Sequence, residues 1–290
     1  KGYTDTLDAK KLEEITGSKA QAAAVEQKLE ENDLPVTREN LEAIENALVA
    51  GEQLTQLTNG SIKYMVENQL EPTIDNLYKA QFSASGDGSR QGKGYYSDTF
   101  PGYYSKKADS YNWEQLEPQM KNVIEEAGME VNEETLDSSK WLIEKGIPLT
   151  ADSLTSLEDL KQLKLPQSSE QMTATIVTAM SNGKSAKNAN LSGEISYLNQ
   201  AKQLIEEVDS ITESAVEKVV TQGRELTLEN LLLANNTITT ADLEPSVNES
   251  IEVIAARRQL EEVRLKMTVQ ANIKMLKQGI SIDTTQLEEL

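Results

Sequence analysis

Cysteine and histidine are both absent from the 290 residues. That excludes disulfides, thiol nucleophiles, histidine-based triads and metal sites built on thiolate or imidazole. Aromatic residues make up only 4% of the chain, so a core has to come from Leu, Ile, Val and Ala. No stretch approaches the ~20 apolar residues that a membrane span needs. Positive charge is scarce: 28 Lys and Arg stand against 48 Asp and Glu, a formal charge of −20. Nucleic-acid binders draw affinity from neutralising phosphates and are expected to be basic, so this balance argues against one. It favours solubility and repels anionic membranes. The chain does not start with Met, shows no leader pattern and stops at Leu290, soon after a helix-start signal at Asp283. It is therefore expected to be a piece of a longer protein. Lack of Cys suits any compartment, so localisation stays open.

What is present is a connection that keeps returning. Its clearest copies are Gly146-Ile147-Pro148-Leu149-Thr150-Ala151-Asp152-Ser153-Leu154 and Gly279-Ile280-Ser281-Ile282-Asp283-Thr284-Thr285-Gln286-Leu287. Gly128, Gly146, Gly223 and Gly279 suit the left-handed position that ends a helix. Thr37, Asn132, Thr150, Thr227 and Asp283 suit the N-cap of the next one. Glu39, Glu134, Asp152 and Glu229 follow in the first turn, where negative charge is favoured. Val36 with Leu41, Val131 with Leu136, Leu149 with Leu154, Leu226 with Leu231 and Ile282 with Leu287 form candidate hydrophobic staples. Asn68–Leu77 is a looser copy, Ile238–Leu243 another, and Gly183–Leu191 a marginal one. Recurrence of one helix-to-helix link predicts an all-α fold of repeated helical hairpins, in an irregular bundle or short solenoid.

The spacing of apolar residues predicts helices over 18–31, 38–57, 62–67 and 74–82. Further helices are expected over 116–127, 133–145, 151–163, 169–181, 193–208, 212–222 and 228–235, with a long one over 247–277. Between them lies a different composition. Residues 83–112 are dense in Gly and Ser and hold five of the nine Tyr. A structureless stretch well beyond ~12–15 residues is normally functional or disordered. The expected organisation is therefore a helical subdomain over 1–82, a Tyr/Gly/Ser-rich loop or linker over 83–112, and a helical-repeat subdomain over 113–290.

Tyr, Ser and Gly together give rigid amphipathic contact with adaptable hydrogen bonding. Tyr95, Tyr96, Phe100, Tyr103, Tyr104 and Tyr111 are thus the candidate partner-binding residues, and a protein is the expected partner. Arg90, Lys93, Lys106 and Lys107 make this stretch basic in an acidic chain. A lid over an apolar groove, or a plain linker, fits the same residues. Gly86–Gly94 fails as a phosphate loop, because Gly94 follows Lys93 where Ser or Thr is required. Leu154, Leu157, Leu160, Leu163 and Leu165 match one leucine-rich unit, but such units need neighbours, so an amphipathic helix is expected. Arg257, Arg258, Arg264, Lys266, Lys274 and Lys277 read as a solvated basic face, with Arg257–Glu261, Arg258–Glu262 and Glu262–Lys266 pairs four apart. Trp113 and Trp141 read as packing anchors. No carboxylate pair stands out among the 48 acids, and no catalytic residue, cofactor or metal is implied.

The stretches ENDLPVTRENL (31–41), ENQLEPTIDNLYKAQF (67–82) and RLKMTVQANIKMLKQGISIDTTQLEEL (264–290) resemble an uncharacterised repeat-bearing family of anaerobic Gram-positive bacteria. Some of its members lie near flagellar genes. The resemblance brings no catalytic residues to carry over. The repeats and the missing catalytic residue types point to a non-enzymatic interaction or structural protein, and the resemblance adds a link to flagellar assembly or the cell surface. The alternative is an enzyme using Asp/Glu, Tyr or Lys in a cleft under the 83–112 loop.

Overall fold

Seven of the described helices end in the same way. In a computed structural model, residues 19–89, 111–237 and 250–290 are described, with side chains over 21–82, 111–237 and 250–290. At seven helix ends the left-handed residue donates to the carbonyl three back, and the next residue donates to the carbonyl five back, as Gly146 to Ile143 and Ile147 to Leu142 do. Five of those residues are the glycines 128, 146, 183, 223 and 279; the other two are Asp33 and Gln69, at φ 56° and 54°. A Cβ at that conformation is strained by about 1–2 kcal/mol. Gln69→Gly is therefore expected to stabilise the fold by about 0.5–1 kcal/mol, net of the entropy glycine adds to the unfolded chain, in a urea titration.

The next helix then starts on a cap. Thr37, Thr150 and Thr227 and Asn132 each accept from the backbone N–H three residues on. Thr73 does the same for Asn76, in the copy that looked loose. The polar residue three after each cap has a job as well. Asn40, Asn76, Thr135, Ser153 and Asn230 donate back over the link to the carbonyls of Pro35, Glu71, Glu130, Pro148 and Glu225, at 2.8–3.0 Å. This bond fixes the angle between successive helices. The staple residues Leu41, Leu154, Leu231, Ile282 and Leu287 are buried, and Leu136 is partly so.

The described residues form thirteen α-helices and no strands. Residues 1–195 and 196–290 form two compact units. The first holds α1 (Lys19–Glu31), α2 (Arg38–Glu52), α3 (Asn59–Glu67), α4 (Ile74–Ser89), α5 (Trp113–Glu126), α6 (Glu133–Glu144), α7 (Ala151–Gln162) and α8 (Ser169–Ser181). The second holds α9 (Tyr197–Ser210), α10 (Glu213–Thr221), α11 (Leu228–Asn236), α12 (Ile251–Lys266) and α13 (Val269–Lys277). The sequence reading drew its division at 83–112. One core instead takes Leu29, Leu41 and Leu77 from before that stretch and Leu142, Leu154 and Ile176 from after it, because α2 packs on α8 and α3 on α7. A second core gathers Val208, Val219, Leu231, Leu260, Val263 and Leu287.

Both units close with the same device. In the first, Thr73 and Asn190 form an isolated antiparallel bridge, and the Leu191 N–H donates to the Pro72 carbonyl. In the second, Thr227 bridges Gln286, and the Leu287 N–H donates to the Leu226 carbonyl. The marginal copy Gly183–Leu191 is thus the counterpart of Gly279–Leu287. Asp283, expected from its sequence as an N-cap, does not cap a helix. Its carbonyl accepts from the Glu229 N–H across the bridge, and only a 3-10 turn follows, at Leu287–Glu289.

Three further expectations change. The helix over 74–82 continues to Ser89. The long helix over 247–277 is two, because Thr268 turns extended (φ −114°, ψ 162°) and caps α13 with its hydroxyl. The basic face is not uniformly solvated. Arg264 turns inward and donates to the Val208 and Ile211 carbonyls at the end of α9, while its other arm pairs with Glu261. Arg258, Glu262 and Lys266 form no ion pair with one another. Ile238–Leu243 lies outside the described residues.

Candidate functional site

The densest polar cluster joins α6 to α7. Ser138 Oγ donates to Glu158 Oε1, and Lys161 Nζ reaches Ser138 Oγ at 2.8 Å and Glu158 Oε1 at 3.6 Å. A serine beside a lysine is one arrangement that activates a nucleophile. Here burial and pairing occupy the groups that such chemistry would use. Ser138 is 1% exposed, so α6 and α7 cover it in this arrangement. Lys161 is already engaged by both Ser138 and Glu158. The cluster fastens two helices together. Sequence reading missed it, although Ser138 and Ser139 stand where the inward face of α6 would otherwise be apolar.

A cleft of about 700 Å³ opens between the α3–α4 and α6–α7 connections. Glu67, Glu71, Asp152 and Asp159 line it, with Leu70 and Ile147 on its floor, and no basic side chain is among its lining residues. Burial raises the Asp159 carboxyl above its ordinary value, and neighbouring Glu158 adds to that. A carboxylate poised in a cleft is what an acid–base enzyme requires. Four acids without a cation repel anionic substrates and leave only neutral or cationic ones.

The third feature is an apolar surface on α2 and α4. Val49 and Phe82 are each 45% exposed, and Tyr78 stacks on Phe82 with ring centroids 4.4 Å apart. A groove of about 290 Å³ runs beside them, with Asn46, Asp75 and Lys187 on its margin. An apolar centre with a polar rim is the anatomy of a protein interface, and this groove is small for a cofactor. α4 is held on α2 by Gln81, which donates to the Gln53 carbonyl at 2.8 Å and accepts from the Thr55 N–H at 2.7 Å. The surface is therefore preorganised.

Of the six aromatic residues named from sequence, Tyr95, Tyr96, Phe100, Tyr103 and Tyr104 lie outside the described residues. Tyr111 is described and half-buried. Its ring packs on Trp113 at 5.1 Å and its hydroxyl donates to the Ile143 carbonyl at 3.4 Å, which ties it to α6. Trp141 packs against the first core, as a packing anchor should. Among the described residues no group of His, Cys, Asp or Glu has the geometry to hold a metal ion. No helix of the described residues is long and apolar enough to cross a membrane.

A family model described as a family of unknown function, DUF6240, matches residues 12–232 and 260–290. The chain belongs to that family. No curated protein and no solved structure matches it. The family match spans the boundary between the two units and passes over 233–259, which includes the first half of α12. It carries the Ser138–Glu158–Lys161 cluster, the acidic cleft and the α2–α4 surface.

α2 also carries an unfavourably placed charge. Burial raises the Glu45 carboxyl, and Glu52 nearby raises it further. A raised folded-state value means that the native state holds the proton more tightly than the unfolded chain, so stability falls as pH rises through that value. Glu45→Gln is expected to raise the melting temperature at neutral pH, with the gain vanishing in acid below the ordinary carboxylate range. Equal gains at both pH values would show that charge is not the cause.

Proposed function

We propose that this protein is a non-enzymatic interaction or structural module that docks a protein partner, in the setting of flagellar assembly or the cell surface. The exposed Val49–Tyr78–Phe82 surface carries the reading. Large apolar side chains stand on a rigid two-helix platform and adjoin, in sequence, the Tyr-rich segment. Partner contacts are assigned to that surface together with Tyr95, Tyr96, Phe100, Tyr103, Tyr104 and Tyr111. The most enzyme-like cluster, Ser138–Glu158–Lys161, supports the reading by being consumed in helix packing. The flagellar or cell-surface setting rests on the family resemblance.

The test compares capture from extracts of the source cells by the full chain and by a Val49→Glu, Phe82→Glu variant of unchanged circular dichroism. A single flagellar or envelope protein held by the first and lost by the second is the expected result. Equal capture by both overturns the reading. The raised Asp159 carboxyl favours one competing reading, a carboxylate-dependent enzyme acting on neutral or cationic substrates in the acidic cleft. Turnover by the purified chain that Asp159→Asn abolishes would establish that reading instead.

A further inference from the structure

The outer face of α12 breaks the pattern of the chain. Elsewhere among the described helices the exposed large apolar side chains stand singly or in pairs, as Val49 and Phe82 do, and none is more than 50% exposed. On α12, Ile251 and Leu265 are 85% and 84% exposed, and Ile254 is 44% exposed. At 100° per residue, Ile251, Ile254, Arg258, Glu262 and Leu265 fall within an arc of about 80°. That arc lies opposite the stripe of Val253, Ala256, Leu260 and Val263, which is buried in the core of the second unit. The helix therefore has two apolar faces, one filled and one bare.

Its centre holds an unpaired couple. Arg258 and Glu262 are four apart yet form no ion pair. The reason is orientation: a cation N-terminal to an anion is the weaker arrangement on a helix. Both charges stand between the exposed apolar ends.

We infer that the outer face of α12 docks against the same face of a second copy of this chain, antiparallel, with Arg258 of each copy paired to Glu262 of the other. The pattern is self-complementary only in that orientation. A two-fold axis on the outer side of α12, at the level of Leu260, sets Arg258 against Glu262 twice, and places Leu265 of one copy over Ile254 and Ala255 of the other. A parallel pairing would stack Arg258 on Arg258. Charge also selects this face. α12 carries four basic residues (Arg257, Arg258, Arg264 and Lys266) against three acidic ones (Glu252, Glu261 and Glu262), in a chain of net charge −20. Two copies that meet through α12 therefore bring together a helix of near-neutral balance rather than the acidic surface typical of the chain. A single helix of about 24 Å gives an interface at the small end of the specific range, so the dimer forms and dissociates with concentration.

The experiment is sedimentation velocity on the full chain over a wide concentration range, with Arg258→Glu and Glu262→Arg variants. Both positions are exposed, so neither variant disturbs the fold. The wild type is expected to pass from monomer to dimer. Each variant alone faces two like-charge contacts and should associate about tenfold more weakly or worse. An equimolar mixture of the two variants restores both pairs and should recover the dimer. A wild type that stays monomeric throughout, variants that dimerise like the wild type, or a mixture without recovery would each overturn the assignment.

Discussion

Replacing Arg264 by Met is expected to destabilise residues 196–290 by about 2–3 kcal/mol while leaving residues 1–195 unaffected. The guanidinium reaches from α12 to the C-terminal end of α9, where its nitrogens donate to the Ile211 carbonyl at 2.6 Å and to the Val208 carbonyl at 3.1 and 3.3 Å. The last carbonyls of a helix have no partner within it, and a cation there also meets the negative end of the helix dipole. Met keeps most of the packing of the stem and removes every donor, so the loss isolates the polar contribution. Lys restores the charge but not the fork, and should recover only part. Hydrogen exchange localises the effect: amides of α9 and α12 lose protection, and those of α2 and α8 do not. At about 4–8 °C per kcal/mol for a domain of this size, the melting shift is large enough to read directly. An R264M chain that matches the wild type would mean that Val208 and Ile211 find water at no cost.

Arg264 also shows where sequence reading stops. The caps, the left-handed glycines and most of the staples are local chemistry, set within nine residues, and the chain spells them out. Val208 and Ile211 are more than fifty positions from Arg264, and no periodicity reports which arginine on a basic face turns inward. Asp283 failed for the same reason: its neighbourhood spells a cap, but pairing with the 226–229 segment takes its carbonyl into a bridge. The break between α12 and α13 was hidden differently. Thr268 has neither Gly nor Pro beside it, and a threonine inside a helix looks the same in sequence as one that caps it. The helix ends at Glu31 and Glu67 fall where the apolar spacing put them, although Asp33 and Gln69 rather than glycines take the left-handed position after them.

The surfaces were less legible than the fold. Val49, Tyr78 and Phe82 belong to helices whose apolar stripes were visible, but which member of a stripe stays outside depends on how α2 and α4 meet. The acidic cleft draws Glu67 and Glu71 from one connection and Asp152 and Asp159 from the start and middle of α7. With 48 acids in the chain, proximity in space was the missing information.

Removing the Lys161 amine is the second change with a large expected effect, and it separates structure from catalysis. Lys161→Met leaves the Glu158 carboxylate, whose side chain is 9% exposed, with Ser138 as its remaining partner. Breaking a fully buried pair costs about 3–5 kcal/mol, because the orphaned charge stays desolvated. The Lys161 side chain is 36% exposed, so water compensates in part, and about 2–3 kcal/mol is the expected loss. The cost belongs to the orphaned charge rather than to the missing contact. Adding Glu158→Gln to the same chain should therefore recover much of the stability, although one more native group has been removed. Ser138→Ala alone should cost about 1 kcal/mol, the worth of an ordinary buried hydrogen bond. Lys161→Arg keeps a cation beside Glu158 and should stay close to wild type in stability, yet an arginine cannot act as a base near neutral pH. If partner capture survives Lys161→Arg unchanged, the cluster is a fastener between α6 and α7. If a measurable turnover of the chain is lost with Lys161→Arg and Ser138→Ala while both variants remain folded, the serine is being reached by substrate and α6 must part from α7 to allow it.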